Sequence, residues 1–451
     1  MSKLFGTAGI RGNILTKVTP ELALRFGAAL ATHLRNAGDV AVGHDNRTSS
    51  KMLEAAVTSG LIYGGCNVAL LGLVPMPVLA FQTRQRKMHA GIMITASHNP
   101  PTDNGLKCFN GQGMEYTPNE EEALESLIMT RTYHGVSWEK LGNITEISDV
   151  KEQYIEAVLQ RFSALKTKIK VVVDCANGAT CDVAPVLLRR MGCQVVAIND
   201  HPDGSFPGRP LEPSPENLQD LSRIVRETRA DIGVAYDGDG DRLAILDQRG
   251  RFVLNDRVIA LYAMKLLEEA RGGSVMMSID TSFCIDEVAE KFGGVVQRTK
   301  LGKTFVGLRE KADAVMAAEP WKIIDPSWGL WGDGIYSAAR IIKMLDESDK
   351  TVTQLFADIP SYPQRRLSIA CPDEKKARVM DLIAKEVVRD KNVASVWTFD
   401  GTRVNYADGS WLLLRASGTE PKVRLYAEGK TEQRLRELVK RGKSLIKQAL
   451  A

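Results

Sequence analysis

Along this chain short apolar runs alternate with amphipathic stretches, and each apolar run ends abruptly in small, polar or acidic residues. The pattern predicts a helix over 20–36, a strand over 40–42 running into His44-Asp45-Asn46-Arg47, a helix over 50–63, and a strand opened by Gly65-Cys66-Asn67-Val68. The order recurs with a strand over 170–173 ending at Asp174, a helix over 182–191, and Gly192-Cys193-Gln194-Val195. A fainter copy has a strand over 275–279 ending at Asp280, a helix through Lys291, and Gly293-Gly294-Val295. Strands alternating with helices predict βαβ units and largely parallel sheets. Copies about 100 residues apart predict three similar domains, not a solenoid.

Each copy then supplies a further strand with chemistry at its carboxyl end. These strands, over 92–97, 232–237 and 314–319, end at Ser97, Asp237 and Glu319. Open α/β sheets bind ligands beyond the carboxyl ends of their strands, so the three ends are expected to wall one cleft. A charged helix within 146–168, the stretch 247–256 and the stretch 360–363 read as passages between domains. The fold class is therefore α/β: three similar mixed α/β domains, 1–150, 151–250 and 251–360, then a smaller α+β domain, 361–451, around a central cleft. In the last domain the pattern predicts a helix over 375–390, strands over 396–399 and 411–414, and a closing basic helix from Glu432.

Composition adds limits. A chain of 451 residues is long enough for about three or four cores. A net charge of +4 on that length is nearly neutral and gives no support for a nucleic-acid partner. The cysteines, seven in number and without a CxxC pair, read as small buried residues in a reducing compartment. The stretch 61–81 has no charged side chain, but Gly64-Gly65, Asn67, Pro75 and Pro77 break it into a helix end, a turn and a short strand. It reads as buried αβ structure. With no basic and apolar leader at the N-terminus, the expected place is the cytoplasm, without a membrane.

Three stretches carry candidate chemistry. In Gly91-Ile92-Met93-Ile94-Thr95-Ala96-Ser97-His98-Asn99-Pro100-Pro101 the prolines stop the strand and force a rigid loop that presents Ser97. Alone, such a serine reads first as a turn residue. In Asp237-Gly238-Asp239-Gly240-Asp241-Arg242, carboxylates at alternate positions repel unless a cation joins them. Hard oxygen ligands favour Mg²⁺, Mn²⁺ or Ca²⁺ over zinc. An EF-hand needs Gly and Glu where Arg242 and Gln248 stand, and a solvated acidic turn is the plain alternative. In Arg415-Ala416-Ser417-Gly418-Thr419-Glu420-Pro421, with Arg424 after it, open amides, hydroxyls and two arginines compose a phosphate cradle, or else an ordinary polar turn.

Together these predict phosphoryl transfer through a phosphoserine at Ser97, with a metal offsetting charge and arginines positioning the substrate. Lys107, His98, Arg11 and Arg242 are the acid–base candidates. Gly302-Lys303-Thr304 is not a Walker A end, because Gln297 replaces the required glycine. No GxSxG surrounds Ser97.

In the order FGTAGIRG (5–12), TASHNP, DGDGDR, the Glu319 loop and RASGTEPKVR, the chain resembles the α-D-phosphohexomutases over essentially its whole length. That superfamily includes phosphoglucosamine mutases, phosphoglucomutases and phosphomannomutases. The resemblance implies a phosphorylated Ser97 that passes its phosphate to a hexose monophosphate and recovers the opposite one from a bound hexose 1,6-bisphosphate. It implies one Mg²⁺ on Asp237, Asp239, Asp241 and the Ser97 phosphate, with Lys107, Arg242 and Arg11 in proton transfer and charge stabilisation. Arg415, Ser417, Gly418, Thr419 and Arg424 match the loop that holds the non-reacting phosphate. Lys303 falls where some relatives place histidine, and Glu319 matches the sugar-binding glutamate.

The usual Gly-Glu-x-Ser-Gly-His sugar loop reads Glu319-Pro320-Trp321-Lys322 here, and with Asp333-Gly334-Ile335 it resembles archaeal members assigned to glucosamine phosphate. Trp321, Trp328 and Trp331 are candidates to cover the sugar or to pack between domains. The expected partner is a small phosphosugar, glucosamine phosphate ahead of glucose or mannose phosphate, and either a monomer or a homo-oligomer fits. A sugar phosphatase and a sugar-phosphate-binding protein are the alternative functions.

Overall fold

The computed structural model describes residues 4–388, 392–418 and 420–450. The chain divides into two compact units, Met1–Val258 with Trp321–Asp358, and Ile259–Pro320 with Ile359–Ala451.

The first unit holds two sheets. In spatial order the first runs Ile10–Asn13, Asp103–Asn110, Ala90–Ile94, Asp39–His44, Asn67–Leu73, Ile144–Glu146. The second runs Leu243–Leu246, Ile232–Tyr236, Lys170–Asp174, Gln194–Ile198. Asp39–His44 lies parallel between Asn67–Leu73 and Ala90–Ile94, and Lys170–Asp174 lies parallel between Gln194–Ile198 and Ile232–Tyr236. In the second unit Gly273–Ser278 lies parallel between Gly294–Thr299 and Ala314–Glu319. The first strand of each repeat is thus central, and the strands carrying Ser97, Asp237 and Glu319 occupy the same relative position. The threefold pattern in the sequence is a threefold repeat of topology.

These sheets are largely parallel, as expected, but not wholly. An antiparallel strand joins each sheet of the first unit: Asp103–Asn110 pairs with Ala90–Ile94, and Leu243–Leu246 pairs with Ile232–Tyr236. Both follow tight returns just after the candidate loops, so the chemistry sits at a reversal of chain direction. The prolines within 61–81 also act differently from a simple break. Pro77 falls in the first turn of a helix, Met76–Gln85, where a missing N–H costs nothing.

The C-terminal sheet is antiparallel throughout, ordered Gln364–Ala370, Lys422–Glu428, Trp411–Ala416, Thr402–Tyr406, Val393–Trp397. The helices Asp373–Val387 and Glu432–Leu450 cover one face with Val379, Ile383, Leu435, Leu438 and Ile446. Residue 390, the expected end of the first of these helices, lies outside the described residues.

On the other face Arg403 is fully buried among aromatic rings. Its guanidinium lies 4.0 Å from the centroid of Trp411 and 4.9 Å from that of Phe283. It donates to the carbonyls of Ile279 and Thr281 beyond the strand Gly273–Ser278. Burying a guanidinium is costly, and cation–π contact with carbonyl acceptors offsets that cost.

No helix among the described residues is long and apolar enough to cross a membrane. The seven cysteines are all free and buried.

Candidate active site

Ser97 leaves its strand with a left-handed backbone, φ 54°. Such a conformation is uncommon for a residue with a Cβ and persists only where the surroundings hold it. Two buried polar groups do so. The Thr95 hydroxyl accepts from the Ser97 amide at 2.8 Å and donates to Asp45 at 2.7 Å. Arg47, paired with Asp45 through Nε at 3.0 Å, donates to four loop carbonyls: Ser97 at 2.9 Å, Asn99 at 2.8 Å, Pro100 at 2.5 Å and Asp103 at 2.9 Å. The loop is therefore built around a guanidinium.

The aspartate loop is held the same way. Asp174, ending the central strand of its sheet, accepts from Arg209 Nε at 2.7 Å, and Arg209 donates to the carbonyl of Tyr236 at 2.7 Å, one residue before Asp237. Two glycines let the loops meet. A Cβ on Gly238 would lie 2.6 Å from the Ser97 carbonyl oxygen, and Gly240 takes φ +78°.

With both loops placed, the buried Ser97 hydroxyl donates to Asp237 Oδ2 at 2.5 Å. Lys107, on the antiparallel strand beside the Ser97 strand, donates to Asp239 at 2.7 Å and Asp241 at 3.1 Å. Arg242 Nε lies 3.9 Å from Asp237, and its Nη1 donates to Glu212. His98 Nδ1 lies 3.3 Å from Ser97 Oγ and 3.8 Å from Glu212. Arg11 pairs in register with Gly105 on the strand of Lys107, and its charge acts on both His98 and Asp241. So Ser97, His98, Lys107, Arg11, Asp237, Asp239, Asp241 and Arg242 gather in one place.

Electrostatics separates the carboxylates. Burial, then the charges of Asp239 and Asp241, push Asp237 well above the usual carboxylate range. Asp241 is equally buried, but Lys107, Lys322, Arg242 and Arg11 outweigh that and hold it far below its usual value. Burial, then the charges of Arg242 and Arg11, push His98 well below the usual histidine pKa, so its imidazole is neutral at pH 7.

The aspartates suit a hard divalent cation. One carboxylate oxygen from each of Asp237, Asp239 and Asp241 lies within 4.8 Å of the others. Asp239 Oδ1 and Asp241 Oδ1 are buried without a hydrogen-bond partner. Bare buried carboxylate oxygens are costly, and a cation satisfies them.

The remaining sequence candidates lie in the second unit. Glu319 accepts from the Gly302 amide at 2.6 Å, and Lys303 lies 5.6 Å from the Phe305 ring. Arg415 Nε donates to Asp400 at 2.8 Å, and the other oxygen of Asp400 accepts from the Leu301 amide at 2.9 Å. The loop carrying Lys303 is thus tied through Asp400 to the strand carrying Arg415. Ser417 Oγ accepts from the Glu420 amide at 3.3 Å, Arg424 pairs with Glu420 at 3.2 Å, and Gly418 is exposed. Thr419 lies outside the described residues.

The three tryptophans Trp321, Trp328 and Trp331 pack. Trp328 stacks on Tyr336 at 4.7 Å and on Phe81 at 5.4 Å, and both Trp328 and Trp331 donate to Asp333. Trp321 packs against Phe252. Sequence reasoning missed Arg47, Arg209, Glu212, Lys322 and Asp400. Arg47 had a visible signal in the polar cluster after its strand, and Lys322 in its place in the altered sugar loop.

Fold and geometry define an α/β protein in which a hydroxyl faces a cluster of three buried carboxylates across two repeated strand ends. Family models described as phosphoglucomutase/phosphomannomutase match four successive stretches: alpha/beta/alpha domain I at 2–134, domain II at 152–250, domain III at 255–362, and the C-terminal domain at 369–442. A phosphopentomutase of Thermococcus kodakarensis is 45% identical over 446 residues, covering 98% of each chain. A probable phosphoglucosamine mutase of Methanopyrus kandleri is 43% identical, covering 97% of this chain and 96% of its own. Among solved structures, a phosphoglucomutase/phosphomannomutase family protein of Burkholderia thailandensis superposes with a TM-score of 0.88 at 27% identity, covering 99% of this chain and 97% of its own. The chain belongs to the phosphoglucomutase/phosphomannomutase family.

Proposed function

We propose that this protein is a phosphosugar mutase that interconverts hexose 6-phosphates and hexose 1-phosphates, with glucosamine phosphate as its leading substrate. The observation that carries the reading is the Ser97 hydroxyl, fixed 2.5 Å from Asp237 at the head of the aspartate loop. A serine buried in a left-handed turn against carboxylates is placed for chemistry, since packing alone asks for neither.

In this reading Ser97 is the phosphate carrier. It gives its phosphoryl group to the free hydroxyl of a sugar monophosphate, and the bound hexose 1,6-bisphosphate returns the opposite group to it. Mg²⁺ on Asp237, Asp239 and Asp241 would supply positive charge to the transferring group. Neutral His98 is suited to accept a proton at Nδ1, and Lys107, Arg11 and Arg242 supply donors and charge. Lys303 and Glu319 bind the sugar, while Arg415, Ser417, Gly418, Thr419 and Arg424 hold the phosphate that does not react. With domains at 1–150, 151–250, 251–360 and 361–451, each domain supplies one of these loops. The seven buried free cysteines support a reducing, cytoplasmic setting.

A second reading, a pentose phosphate as substrate, is favoured by the 45% identity to a phosphopentomutase. One assay separates these readings. Purified protein with Mg²⁺ and trace bisphosphate is given the 1-phosphates of glucosamine, glucose, mannose and ribose, and both isomer and free phosphate are followed. Fastest isomerisation of the glucosamine compound supports the first reading, and fastest isomerisation of the ribose compound the second. Phosphate release without isomer, or an intact mass showing that Ser97 never carries phosphate, sinks both.

A further inference from the structure

Two buried lysines meet at Asp241, and they are held differently. Lys107 Nζ contacts Asp239 at 2.7 Å and Asp241 at 3.1 Å, both of them expected cation ligands. Lys322 Nζ lies 3.4 Å from Asp241 but 2.6 Å from Glu115, a carboxylate outside the cluster. Lys322 and Glu115 are each only 8% exposed. Both are fixed by backbone. Lys322 lies on the strand Lys322–Ile324 with its stem against Gly332, where a Cβ would come within 2.2 Å of Lys322 Cε. Glu115 is bridged to Phe109 on the strand that carries Lys107.

We infer that Lys322, tethered by Glu115, is a positioning residue that acts as the stationary counter-charge of the cation site, and that Lys107 is the exchangeable one. The inference rests on reading the three aspartates as cation ligands. A divalent cation on the bare Oδ1 atoms of Asp239 and Asp241 draws charge from both carboxylates that Lys107 holds through Oδ2, so both contacts of Lys107 weaken together. Lys322 has its nearer partner in Glu115, whose charge the cation does not take, so it stays. The ammonium whose hold on the aspartates is weakened is then available to a sugar or a phosphate. The ammonium that stays fixes the orientation of Asp241 and weakens the hold on the cation by repulsion.

The test is a Mn²⁺ titration of the full-length, dephosphorylated protein, followed by electron paramagnetic resonance. Removing a cation that close to a ligand, as in Lys322→Met, is expected to tighten the Mn²⁺ Kd roughly tenfold. Lys322→Arg, which keeps the charge, is expected to restore the wild-type value. Glu115→Gln frees Lys322 to act wholly on Asp241 and is expected to weaken binding several-fold. An unchanged or weakened Kd in Lys322→Met overturns the inference. If that variant does not fold by circular dichroism, Glu115→Gln decides, and unchanged or tighter binding there is the overturning result. Wild-type protein that fails to bind Mn²⁺ sinks the inference and the cation site together. Normal Mn²⁺ behaviour with no isomerase activity sinks the proposed function alone.

Discussion

Arg47 donates to the carbonyl oxygen of Ser97 at 2.9 Å, so the residue expected to carry phosphate is held through its backbone by a side chain fifty positions earlier. Arg209 does the same for Tyr236 just before the aspartates. Each arginine is anchored on a buried aspartate beside or at the end of a central strand. Removing one partner of such a pair leaves the other charged, buried and unmatched. Arg47→Met is therefore expected to lower stability by about 3–5 kcal/mol, read by chemical denaturation. It should also abolish phosphate uptake on Ser97, read by intact mass, since the loop loses four carbonyl contacts. Retained uptake with full stability would refute the role.

Gly238 tests how closely the two loops must approach. A methyl group there would meet the backbone oxygen of Ser97 at 2.6 Å, and a backbone atom cannot swing aside. Gly238→Ala is expected to lower kcat about a hundredfold through misplacement of the reacting groups. Steady-state kinetics checks this, with KM changing less than kcat.

The bare oxygens of Asp239 and Asp241 predict a response to metal. Mg²⁺ at about one hundred times its Kd should add about 2.7 kcal/mol of stability, seen as a raised Tm in differential scanning calorimetry. EDTA should remove the gain. Asp239→Asn should show little or none of it, and a wild-type Tm indifferent to Mg²⁺ would count against the site.

Burial pushes the Cys66 thiol up to about 11 and the Cys193 thiol up to about 12. Both folded-state values lie above the ordinary thiol range, so these groups stay protonated and unreactive at pH 8. Native protein is expected to react slowly with a thiol reagent at that pH. After denaturation all seven cysteines should titrate. Fast labelling of native protein would contradict their burial.

Ser97 and the aspartates were legible because contiguous chemistry leaves a contiguous signature: small residues, prolines and alternating carboxylates within a few positions. Their supports were not, because they come from far along the chain. Arg47 reaches residues 97–103, and Lys322 reaches Glu115 and Asp241. Nothing in their own neighbourhood announces those partners. The strand Asp103–Asn110 was hidden for another reason. It opens with Asp103-Asn104-Gly105, which reads as a turn, yet those residues pair with Ile10–Asn13, and Leu106–Asn110, which includes Lys107, pairs with Ala90–Ile94. Composition left the tryptophans open between covering a sugar and packing: Trp328 fits a sugar platform by residue type, but Tyr336 and Phe81 stack on it.

Arg403 bears on how the chain can be cut. Its charge belongs by sequence to the last domain, while the carbonyls that receive it, Ile279 and Thr281, belong to the third. A fragment beginning after Pro363 would have to fold with a guanidinium stranded among aromatic rings and its acceptors missing. The stretch at 360–363 thus lies where two family domains meet but is not a seam in cohesion: a protease that nicks it is expected to leave the two pieces joined.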